Sequence, residues 1–503
     1  MKISKILVAN RGEIAVRIMR SASEMGIQTV AVYSDADQSA RHVRQADEAW
    51  HIGDSPSSAS YLRGDVIIET ALKSGAQAIH PGYGFLSENA SFARAVKEAG
   101  LIFIGPSAES INAMGDKLRA KETARKSGVP LVPGSVAAIA TLQEAKEASL
   151  ATGFPLLIKA SAGGGGKGMR VVHREEELEN EMQLAMNEAQ SAFGDSTVFI
   201  ERYVQNPKHI EIQIIGDQHG NVVHLFERDC SIQRRHQKVV EEAPSGILSP
   251  EIREAMGRDA VNLAKTCGYY STGTVEFIMD EQMRYYFLEM NTRLQVEHPV
   301  TELITGLDLV KEQIRVAAGE KLSERVLNPS IRGHAIEIRV CAEDPLNQFL
   351  PDVGKLSRFR VPQGPGLRVD SGYEEGDEIP IFYDPLMAKL IVYAEDRITA
   401  IDRMIAAIRR FDLRGVASTL DFCRWVMQHP DFREGWFDTH FIARKYSPEM
   451  LNEDLTEEEI LALSIAAIEF QHQSAGNSHS QQAAPAAGGS AWKRRSVPQR
   501  FGI

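Results

Sequence analysis

Short apolar runs alternate with segments of helical periodicity through the first part of the chain. Lys5–Asn10 and Gln28–Tyr33 have the character of buried strands, and Glu13–Met25 between them repeats its apolar residues with a helical period. Two further cycles of helix and strand follow. Strands separated by helices of this length pair in parallel through right-handed crossovers. The sequence therefore predicts an N-terminal doubly wound α/β domain over residues 1–115.

Length and composition restrict the remaining possibilities. A chain of 503 residues is long enough for about three domains, and its net charge of −12 argues against a general binder of nucleic acid. Its apolar runs are far shorter than the roughly 20 residues of a membrane span, and its N-terminus lacks the pattern of a signal peptide. The four cysteines lie far apart, which argues against a disulfide scaffold. We therefore expect a cytoplasmic enzyme with neither nucleic acid nor a membrane as its partner.

The character of the sequence changes after residue 115. Residues 116–331 combine strands with long helices, which predicts a central domain. Residues 332–447 have a β texture rich in Pro and Gly followed by a helix, which predicts a mixed α+β domain. The tail, residues 448–503, becomes rich in Ser, Gln, Ala, Gly and Pro without periodicity, so its end is predicted to be disordered. The fold class is therefore α/β combined with α+β.

Four consecutive glycines, Gly163–Gly166, are followed by Lys167 and Gly168. Their spacing matches the dinucleotide fingerprint, but that fingerprint needs a helix after it, and Met169–Val172 has the pattern of a strand. Lys167 is followed by Gly rather than by Ser or Thr, so a P-loop is excluded as well. A glycine-rich hairpin that folds its N–H groups over an anion remains, with a plain flexible turn as the alternative.

The segment Tyr286–His298 alternates polar and apolar residues. If it is extended, residues two apart share one face. That face would collect the polar side chains of Glu289, Asn291, Arg293, Gln295 and Glu297. Glu276, in the preceding predicted strand, can lie across a hairpin from Glu289. Two carboxylates and an amide oxygen suit Mg²⁺, whereas the alternative is a solvated strand face.

A basic run lies earlier in the chain, within residues 227–238. It contains four cations, Arg228, Arg234, Arg235 and Lys238, in an otherwise acidic chain. No aromatic residues are interleaved with them, and Glu241 and Glu242 follow directly, which argues against nucleic acid. We therefore expect a local pocket for phosphate or bicarbonate.

With these residues assembled, the chain resembles the biotin carboxylase component of biotin-dependent carboxylases, an ATP-grasp family. The motifs that carry the resemblance extend from residue 5 to about 445 and are Ala9–Ala15, His80–Asn89, Gly163–Gly168, Arg228–Pro244 and Glu289–Glu302. The resemblance implies a central ATP-grasp domain whose glycine-rich lid spans about residues 131–203. It also implies that ATP activates bicarbonate as carboxyphosphate, which then carboxylates biotin.

The resemblance further implies the roles of individual residues. The implied ATP-binding residues are Lys117, Lys159, Gly165, Gly166, Glu201, Val204, His209, Gln233, His236, Glu276 and Glu289. The implied ligands of Mg²⁺ or Mn²⁺ are Glu276, Glu289 and Asn291, and the implied bicarbonate pocket consists of Lys238, Arg293, Gln295 and Val296. The implied catalytic residues are Lys238, Arg293, Glu297 and Arg339. Among them Glu297 would deprotonate bicarbonate and Arg339 would stabilise the biotin enolate, with Tyr83 also beside biotin.

The resemblance implies partners as well. We expect a homodimer that works with a biotin carboxyl carrier protein and carboxyltransferase subunits. Acetyl-CoA is the expected final acceptor, in fatty acid biosynthesis, with propionyl-CoA or pyruvate as alternatives. The chain has no Met-Lys-Met biotinylation motif, and Lys389 lies in the apolar run Phe382–Tyr393, which is predicted to be a buried strand. Biotin is therefore expected on a separate carrier.

Two other functions compete with this one. A carboxylate–amine ligase would share the ATP-grasp fold, but Lys238 and the polar segment ending at Glu297 suit bicarbonate and biotin better. A non-catalytic nucleotide-binding regulator would be expected to lack the base or a metal ligand, and none is missing. The chain also departs from many relatives, because Gly415–Thr419 replaces Gly-Val-Lys-Thr-Asn. This departure predicts an altered surface contact of the C-terminal domain.

Overall fold

The structure is a computed structural model that describes residues 2–135, 137–160, 169–451, 461–462 and 464–468. Met1–Leu451 belong to one compact unit and Asn452–Ile503 to another, of which residues 461–462 and 464–468 are helical. The run Gly163–Gly168 and the end of the tail, with its predicted disorder, lie outside the described residues. Among the described residues, no helix is long and apolar enough to cross a membrane.

The N-terminal region contains a parallel sheet. Its strands are β1 (Lys5–Val8), β2 (Gln28–Ser34), β3 (Glu48–Gly53), β4 (Ala78–His80) and β5 (Ile102–Phe103). Its helices are α1 (Gly12–Glu24), α2 (Arg41–Gln45), α3 (Gly64–Ser74), α4 (Ala90–Glu98) and α5 (Ala108–Gly115). The strand order β3-β2-β1-β4-β5, with every pair parallel, confirms the predicted doubly wound fold. Leu7 packs into one core and Ile6 and Val8 into another, as expected of a strand covered on both faces.

The order of the strands reverses between β1 and β4. The amide of Asn10, just after β1, donates hydrogen bonds to the carbonyl oxygens of Pro81 and Tyr83, each at 2.7 Å. The loops after these two strands are thereby joined. In doubly wound sheets, ligands bind in the crevice at the carboxyl ends of the strands on either side of such a reversal. Tyr83 therefore borders a crevice of this kind.

The next segment forms a small antiparallel sheet with helices. Its helices are α6 (Lys117–Lys126), α7 (Leu142–Thr152) and α8 (Glu175–Phe193), and its strands are β6 (Leu156–Ala160), β7 (Met169–Val172) and β8 (Val198–Arg202). The strand order is β7-β6-β8. Strand β7 confirms that a strand, not a helix, follows the glycine-rich run, and it pairs antiparallel with β6 in the register Lys159 to Met169.

The central segment is rich in long strands. They are β9 (Lys208–Gly216), β10 (Val222–Arg234), β11 (Gln237–Ala243), β12 (Ser271–Met279), β13 (Tyr285–Asn291) and β14 (His334–Cys341). The helices of this segment are α9 (Pro250–Thr266), α10 (His298–Thr305), α11 (Leu309–Ala317) and α12 (Glu324–Leu327). Arg235 and His236 alone connect β10 to β11, both with positive φ, as a two-residue type I′ hairpin requires.

The C-terminal segment mixes short strands and helices, as predicted. Its strands are β15 (Glu343–Asp344), β16 (Leu350–Pro351), β17 (Gly354–Lys355), β18 (Arg358–Arg360), β19 (Leu367–Ser371), β20 (Glu378–Ile379), β21 (Leu386–Ala394) and β22 (Asp412–Arg414). Its helices are α13 (Arg397–Arg409), α14 (Leu420–Gln428), α15 (Pro430–Glu434) and α16 (Phe441–Lys445). Lys389 is fully buried in β21, which confirms the predicted buried strand from Leu386 onward. The start of the predicted run is wrong, because Phe382 precedes the strand and is 46% exposed.

One eight-stranded sheet joins the last two segments. Its order is β13-β12-β9-β10-β11-β14-β21-β19. Helix α10 packs against β10, β11, β14 and β21. Val300 and Ile304 of this helix share an apolar cluster with Ala335 and Ile391 of the sheet. Polar side chains of these strands that point toward the start of α10 are therefore removed from solvent.

Candidate active site

An ammonium group surrounded by carboxylates lies at the centre of the eight-stranded sheet. Lys238 Nζ, on β11, donates to Glu297 Oε1 at 2.7 Å and to Glu276 Oε1 at 3.0 Å, and it also contacts Glu211. We call these four residues the Lys238 cluster. Burial alone would lower the pKa of Lys238, but the three carboxylates raise it well above its ordinary value. The ammonium is therefore charged.

The carboxylate of Glu276 also accepts hydrogen bonds from two amides. Asn291 Nδ2 and Gln295 Nε2 each donate to Glu276 Oε1 at 2.8 Å. Arg293 then donates to Asn291 Oδ1 at 2.9 Å and to Glu88 Oε2 at 2.8 Å. The polar residues predicted to share a strand face are thus gathered around one carboxylate.

A single extended strand does not bring these polar residues together, although their alternation in the sequence predicted one. The extended strand predicted over Tyr286–His298 is wrong beyond Asn291, where β13 ends. Glu297 is instead the N-cap residue of α10, and Pro299 lies in the first turn of that helix. Proline is well suited to this position because the N–H it lacks has no partner there. The His-Pro pair thus marks a helix start that the two-residue period concealed.

The two oxygens of Glu297 contact different cations. Lys238 binds Oε1, and Arg339 Nη2, on β14, donates to Oε2 at 3.1 Å. Arg339 Nε donates to Glu241 Oε1 at 2.7 Å. Burial would raise the pKa of Glu297, but Lys238 and Arg339 lower it below its ordinary value. Glu297 is therefore an ionised carboxylate inside the protein.

Arg228 supports this cluster, a role that was not predicted from the sequence. It is fully buried on β10, and its guanidinium donates to Glu211, Gln213, Thr274, Gln295 and Thr301. The available signal was on β9, where His209, Glu211 and Gln213 alternate with isoleucines at a spacing of two residues. Polar side chains on the inner face of a buried strand need buried partners.

The four cations of the basic run have different surroundings, and the anion pocket expected near them stays a prediction. Arg228 is occupied by buried partners, and Arg234 lies over the ring of Phe349 at 4.3 Å. Arg235 is exposed at the hairpin turn. Arg228 and Lys238 are thus the two members of the run that reach the carboxylates of the cluster, and both contact Glu211.

A second charged group lies on the small antiparallel sheet. Lys159 Nζ, on β6, donates to Glu201 Oε2 at 2.7 Å, and Lys121, on α6, contacts the other oxygen. Burial would raise the pKa of Glu201, but the two lysines lower it to about 2. Partial desolvation lowers the pKa of Lys117 against the opposing charge of Glu289. Lysines thus concentrate positive charge beside this sheet.

The remaining predicted nucleotide residues are dispersed around the two groups. Val204 is buried just after β8, and Gln233 Nε2 donates to the carbonyl oxygen of Cys230 at 2.8 Å. His209 Nε2 lies 3.1 Å from Glu276 Oε2, and although burial lowers its pKa, that carboxylate raises it to about 9. His236 is exposed at the hairpin turn. The predicted residues Gly165 and Gly166 lie outside the described residues.

Two carboxylates could hold a divalent metal. Glu276 and Glu289 are register partners on β12 and β13, which confirms the predicted cross-hairpin placement. Desolvation and then the charge of Glu276 raise the pKa of Glu289. A divalent cation between them would relieve this repulsion, and the amide oxygen of Asn291 lies on the same strand. The donor set consists of oxygens and therefore fits Mg²⁺.

The other predicted contacts lie around this centre. Tyr83 donates a hydrogen bond to the buried carboxylate of Glu13. The backbone oxygen of Val296 accepts a hydrogen bond from Lys389 Nζ at 2.7 Å, and Lys389 also lies 3.2 Å from Glu13. The crevice of the parallel sheet is thus linked through Lys389 to the segment that carries Glu297.

The predicted change in a surface contact at Gly415–Thr419 is wrong for Thr419, which is 2% exposed. Its hydroxyl donates to the carbonyl oxygen of Arg339 at 2.7 Å and accepts from the N–H of Cys341 at 3.0 Å. The substituted position therefore supports the strand that carries Arg339, and a small β-branched hydroxyl satisfies both backbone groups.

Three family models match the chain in consecutive blocks. Residues 2–111 match "Biotin carboxylase, N-terminal domain", residues 116–325 match "Carbamoyl-phosphate synthase L chain, ATP binding domain", and residues 337–444 match "Biotin carboxylase C-terminal domain". The middle model covers the small antiparallel sheet and the Lys238 cluster. The outer models cover the parallel sheet and the strand bearing Arg339.

Individual relatives agree with these matches. The propionyl-CoA carboxylase alpha chain of Ruegeria pomeroyi is 50% identical over 92% of this chain and 71% of its own length. The biotin carboxylase of Nostoc sp. is 51% identical over 88% of this chain and 99% of its own length. The biotin carboxylase domain dimer of Hydrogenobacter thermophilus 2-oxoglutarate carboxylase, solved with MgADP, ADP and bicarbonate, is 50% identical. It has a TM-score of 0.85 and matches 90% of this chain and 99% of that one. The chain belongs to the biotin carboxylase family of ATP-grasp enzymes.

Proposed function

We propose that Glu297 is the base that removes the proton of bicarbonate and that Lys238 holds bicarbonate beside it, together with Arg293, Gln295 and the backbone of Val296. The position of Glu297 between Lys238 and Arg339 carries this proposal. Both cations favour the ionised carboxylate, which is the form that accepts a proton. Bicarbonate is a poor nucleophile, so a positioned base lowers the barrier to its attack on ATP.

Arg339 is proposed to stabilise the enolate of biotin in the second half of the reaction, with Tyr83 beside the biotin ring. A guanidinium suits an enolate because it stays charged and presents several donors. The hydrogen bond from Arg339 to Glu297 supports this role, since it keeps the two half-reactions within one site. The location of Tyr83 at the crevice of the parallel sheet is consistent with it.

ATP is proposed to lie between the two charged groups. The proposed contacts are Lys117, Lys159, Gly165, Gly166, Glu201, Val204, His209, Gln233, His236, Glu276 and Glu289, with a lid over residues 131–203. Phosphoryl transfer depends on positioning and charge neutralisation, and the lysines beside the small sheet supply positive charge. Glu276, Glu289 and Asn291 would hold Mg²⁺, which neutralises phosphate charge when bound. The MgADP in the solved 2-oxoglutarate carboxylase relative supports the binding of a magnesium nucleotide.

Biotin is proposed to reach the site on a separate carrier protein, in an assembly with a carboxyltransferase. Lys389 supports this because it is fully buried and held by Glu13 and Val296, so it cannot carry biotin to a distant site. A homodimer is also proposed, since the solved relative is a domain dimer.

The proposed final acceptor is acetyl-CoA, as the family resemblance implies. Purification of the tagged chain under native conditions, followed by mass spectrometry, would identify the carboxyltransferase that accompanies it. A carboxyltransferase specific for propionyl-CoA or for a 2-oxo acid would contradict acetyl-CoA without affecting the roles proposed for Glu297 and Arg339.

The residue roles are tested by separating the half-reactions. Glu297→Gln should lower biotin carboxylation by about 10²–10⁴-fold while ATP binding is retained, because the base is lost and its size is kept. Arg339→Ala should lower biotin-dependent turnover more than bicarbonate-dependent ATP cleavage. Glu69→Gln, at a surface ion pair with Lys73, is the matched control. Full activity of Glu297→Gln, or loss of its ATP binding, would contradict the assignment.

A further inference from the structure

A second pair of carboxyl groups lies under α10, on the other side of Arg339. Glu241 on β11 and Glu337 on β14 are direct partners in the antiparallel register, and both are fully buried. The Cβ atoms of such partners lie about 4.5–5.5 Å apart, so the two carboxyl groups share one region. Ile391 is the register partner of Glu337 on its other side. We call Glu241 and Glu337 the carboxyl pair.

Two cations that act on this pair, Arg339 and Lys389, also bind other groups. Arg339 donates through Nε to Glu241 Oε1 and through Nη2 to Glu297 Oε2. Lys389 lies against Glu13 and the backbone of the segment before α10. Within the described part of the chain, no donor reaches either oxygen of Glu337 or Oε2 of Glu241. The pair therefore has one guanidinium for two carboxyl groups.

Two charges in this setting would be very costly. An ionised carboxylate in an apolar interior without a hydrogen-bond donor is far less stable than its neutral form. A protonated carboxyl group supplies a donor, and Oε2 of Glu241 is an acceptor without a partner on the facing strand. We infer that Glu337 holds a proton that it shares with Glu241 and that this singly charged pair positions the Arg339 guanidinium.

The charged groups around Glu337 act on its pKa in both directions, and burial decides the balance. Burial is the main cause that raises its pKa well above the ordinary value near 4.5. Lys389 from β21 and Arg339 on the same strand oppose the rise, whereas Glu241 from β11 and Glu297 at the start of α10 reinforce it. The pKa of Glu241 is itself raised to about 7, by burial above all and despite Arg339.

The inference rests on the role proposed for Arg339 and extends it. With one proton, the pair carries a single negative charge that balances Arg339 while Lys238 neutralises Glu297. Loss of that proton at high pH would place two carboxylates against the guanidinium and draw it away from Glu297. Glu337 is thus a positioning residue that acts through Glu241.

The protonation state can be tested without an activity assay. Infrared difference spectra of the wild-type chain and Glu337→Gln near pH 7 should show the carbonyl band of a neutral carboxylic acid that is missing from the variant. Glu337→Leu should remove the same band, which keeps the test valid if one variant does not fold. A spectrum without this difference in a folded variant would overturn the inference.

The pH dependence of protein stability tests whether the pKa of Glu337 is raised in the folded protein. A group whose folded pKa is raised costs stability increasingly as pH rises above its unfolded pKa. The folding equilibrium of Glu337→Gln relative to wild type should therefore improve by up to about tenfold per pH unit above about 4.5. Glu242→Gln is the matched control on the neighbouring strand β11, because Arg397 and His334 lower the pKa of Glu242 to about 2 against burial. That variant should be less stable at neutral pH, with the gap closing as pH falls below about 4.5.

The kinetic readout distinguishes positioning from a general structural effect. In Glu337→Gln the decline of kcat/KM for biotin at alkaline pH should move to higher pH, while the KM for ATP keeps its wild-type pH dependence. An unchanged biotin profile, or equal shifts for both substrates, would overturn the positioning role. Full activity of Glu297→Gln would contradict the proposed function but would leave the infrared band of Glu337 unchanged, so failure of the proposed function and failure of this inference are distinguishable.

Discussion

The two carboxyl groups on either side of Arg339 share their burial and differ in their partners. Glu297 is 2% exposed and Glu337 is 0% exposed. Glu297 accepts hydrogen bonds from Lys238 and Arg339, whereas no donor reaches Glu337 among the described residues. The pKa of Glu297 is lowered and that of Glu337 is raised. The supply of cations, rather than the depth of burial, therefore separates an ionised group from a neutral one.

The Lys238 cluster, which contains Glu297, and the carboxyl pair, which contains Glu337, also differ in how many donors serve their carboxyl groups. The Lys238 cluster gathers three carboxylates, but Lys238 and Arg228 both donate to Glu211, and amides satisfy Glu276. Within the described part of the chain, Arg339 is the one cation that donates a hydrogen bond to the carboxyl pair, although the charge of Lys389 also acts on Glu337. A buried ion pair is weak evidence for stability, yet removal of one partner leaves an uncompensated charge. The two groups should therefore respond in opposite ways to the loss of one member.

The largest expected effect on activity comes from removing a cation from the Lys238 cluster, which would leave its carboxylates with too few cations, as in the carboxyl pair. Lys238→Met removes the ammonium while it keeps most of the side-chain volume. Biotin carboxylation should fall by about 10²–10⁴-fold, because a positioned electrostatic group is lost. The pKa of Glu297 should also rise, so the residual activity should have its optimum at higher pH, measured as kcat/KM against pH.

Lys238→Arg is the control for this prediction, since it keeps the charge with a different geometry. It should lose less activity than Lys238→Met and keep the wild-type pH optimum. A Lys238→Met enzyme with an unshifted optimum would mean that Arg339 alone keeps Glu297 ionised. The contrast between the two groups would then lose its basis in cation supply.

The next prediction concerns the free energy of unfolding when Arg228, which supports the Lys238 cluster, or Glu337 of the carboxyl pair is replaced. Arg228→Met should destabilise the protein by about 3–5 kcal/mol, because Glu211 is left buried with one cation fewer. Glu337→Leu, on the other side of Arg339, should cost far less or stabilise the protein, since it removes a carboxyl group that no donor among the described residues reaches. Thermal unfolding of the two variants at pH 7 compares them directly, and similar losses in both would contradict the contrast.

The sequence predicted the fold class well because that prediction rests on local periodicity. The alternation of strands and helices around Lys5–Asn10 was sufficient for the parallel sheet. The cross-hairpin pairing of Glu276 with Glu289 was likewise a local inference, and the register confirms it. Strand period and hairpin geometry are properties of short segments, so a single sequence contains them.

The organisation of the site was predicted less completely because it depends on which distant strands become neighbours. Glu337 and Glu241 are 96 positions apart and meet only through the pairing of β14 with β11. Arg228 was hidden in a run of cations, and only burial distinguishes it from exposed Arg235. The end of β13 at Asn291 was missed because alternation continues in the sequence after the strand has ended. Tertiary pairing, not local pattern, decides each of these cases.

The smallest expected effect concerns the backbone beneath Arg339. Thr419→Val keeps the shape of the side chain but removes the hydroxyl that links Arg339 and Cys341. The loss of these hydrogen bonds should cost about 1 kcal/mol in stability. Since Arg339 lies between the Lys238 cluster and the carboxyl pair, a displaced strand should weaken its contacts to both, and kcat/KM for biotin should fall severalfold.

Thr419→Ser is the control because it retains the hydroxyl and loses only a methyl group. It should restore most of the stability and most of the biotin-dependent rate, while the KM for ATP is unaffected in either variant. If Val and Ser behaved alike, the methyl packing of Thr419 would matter more than its hydroxyl. Arg339 would then owe its position to Glu241 and Glu297 alone, so the side-chain charges on its two sides, and not the strand beneath it, would control the guanidinium.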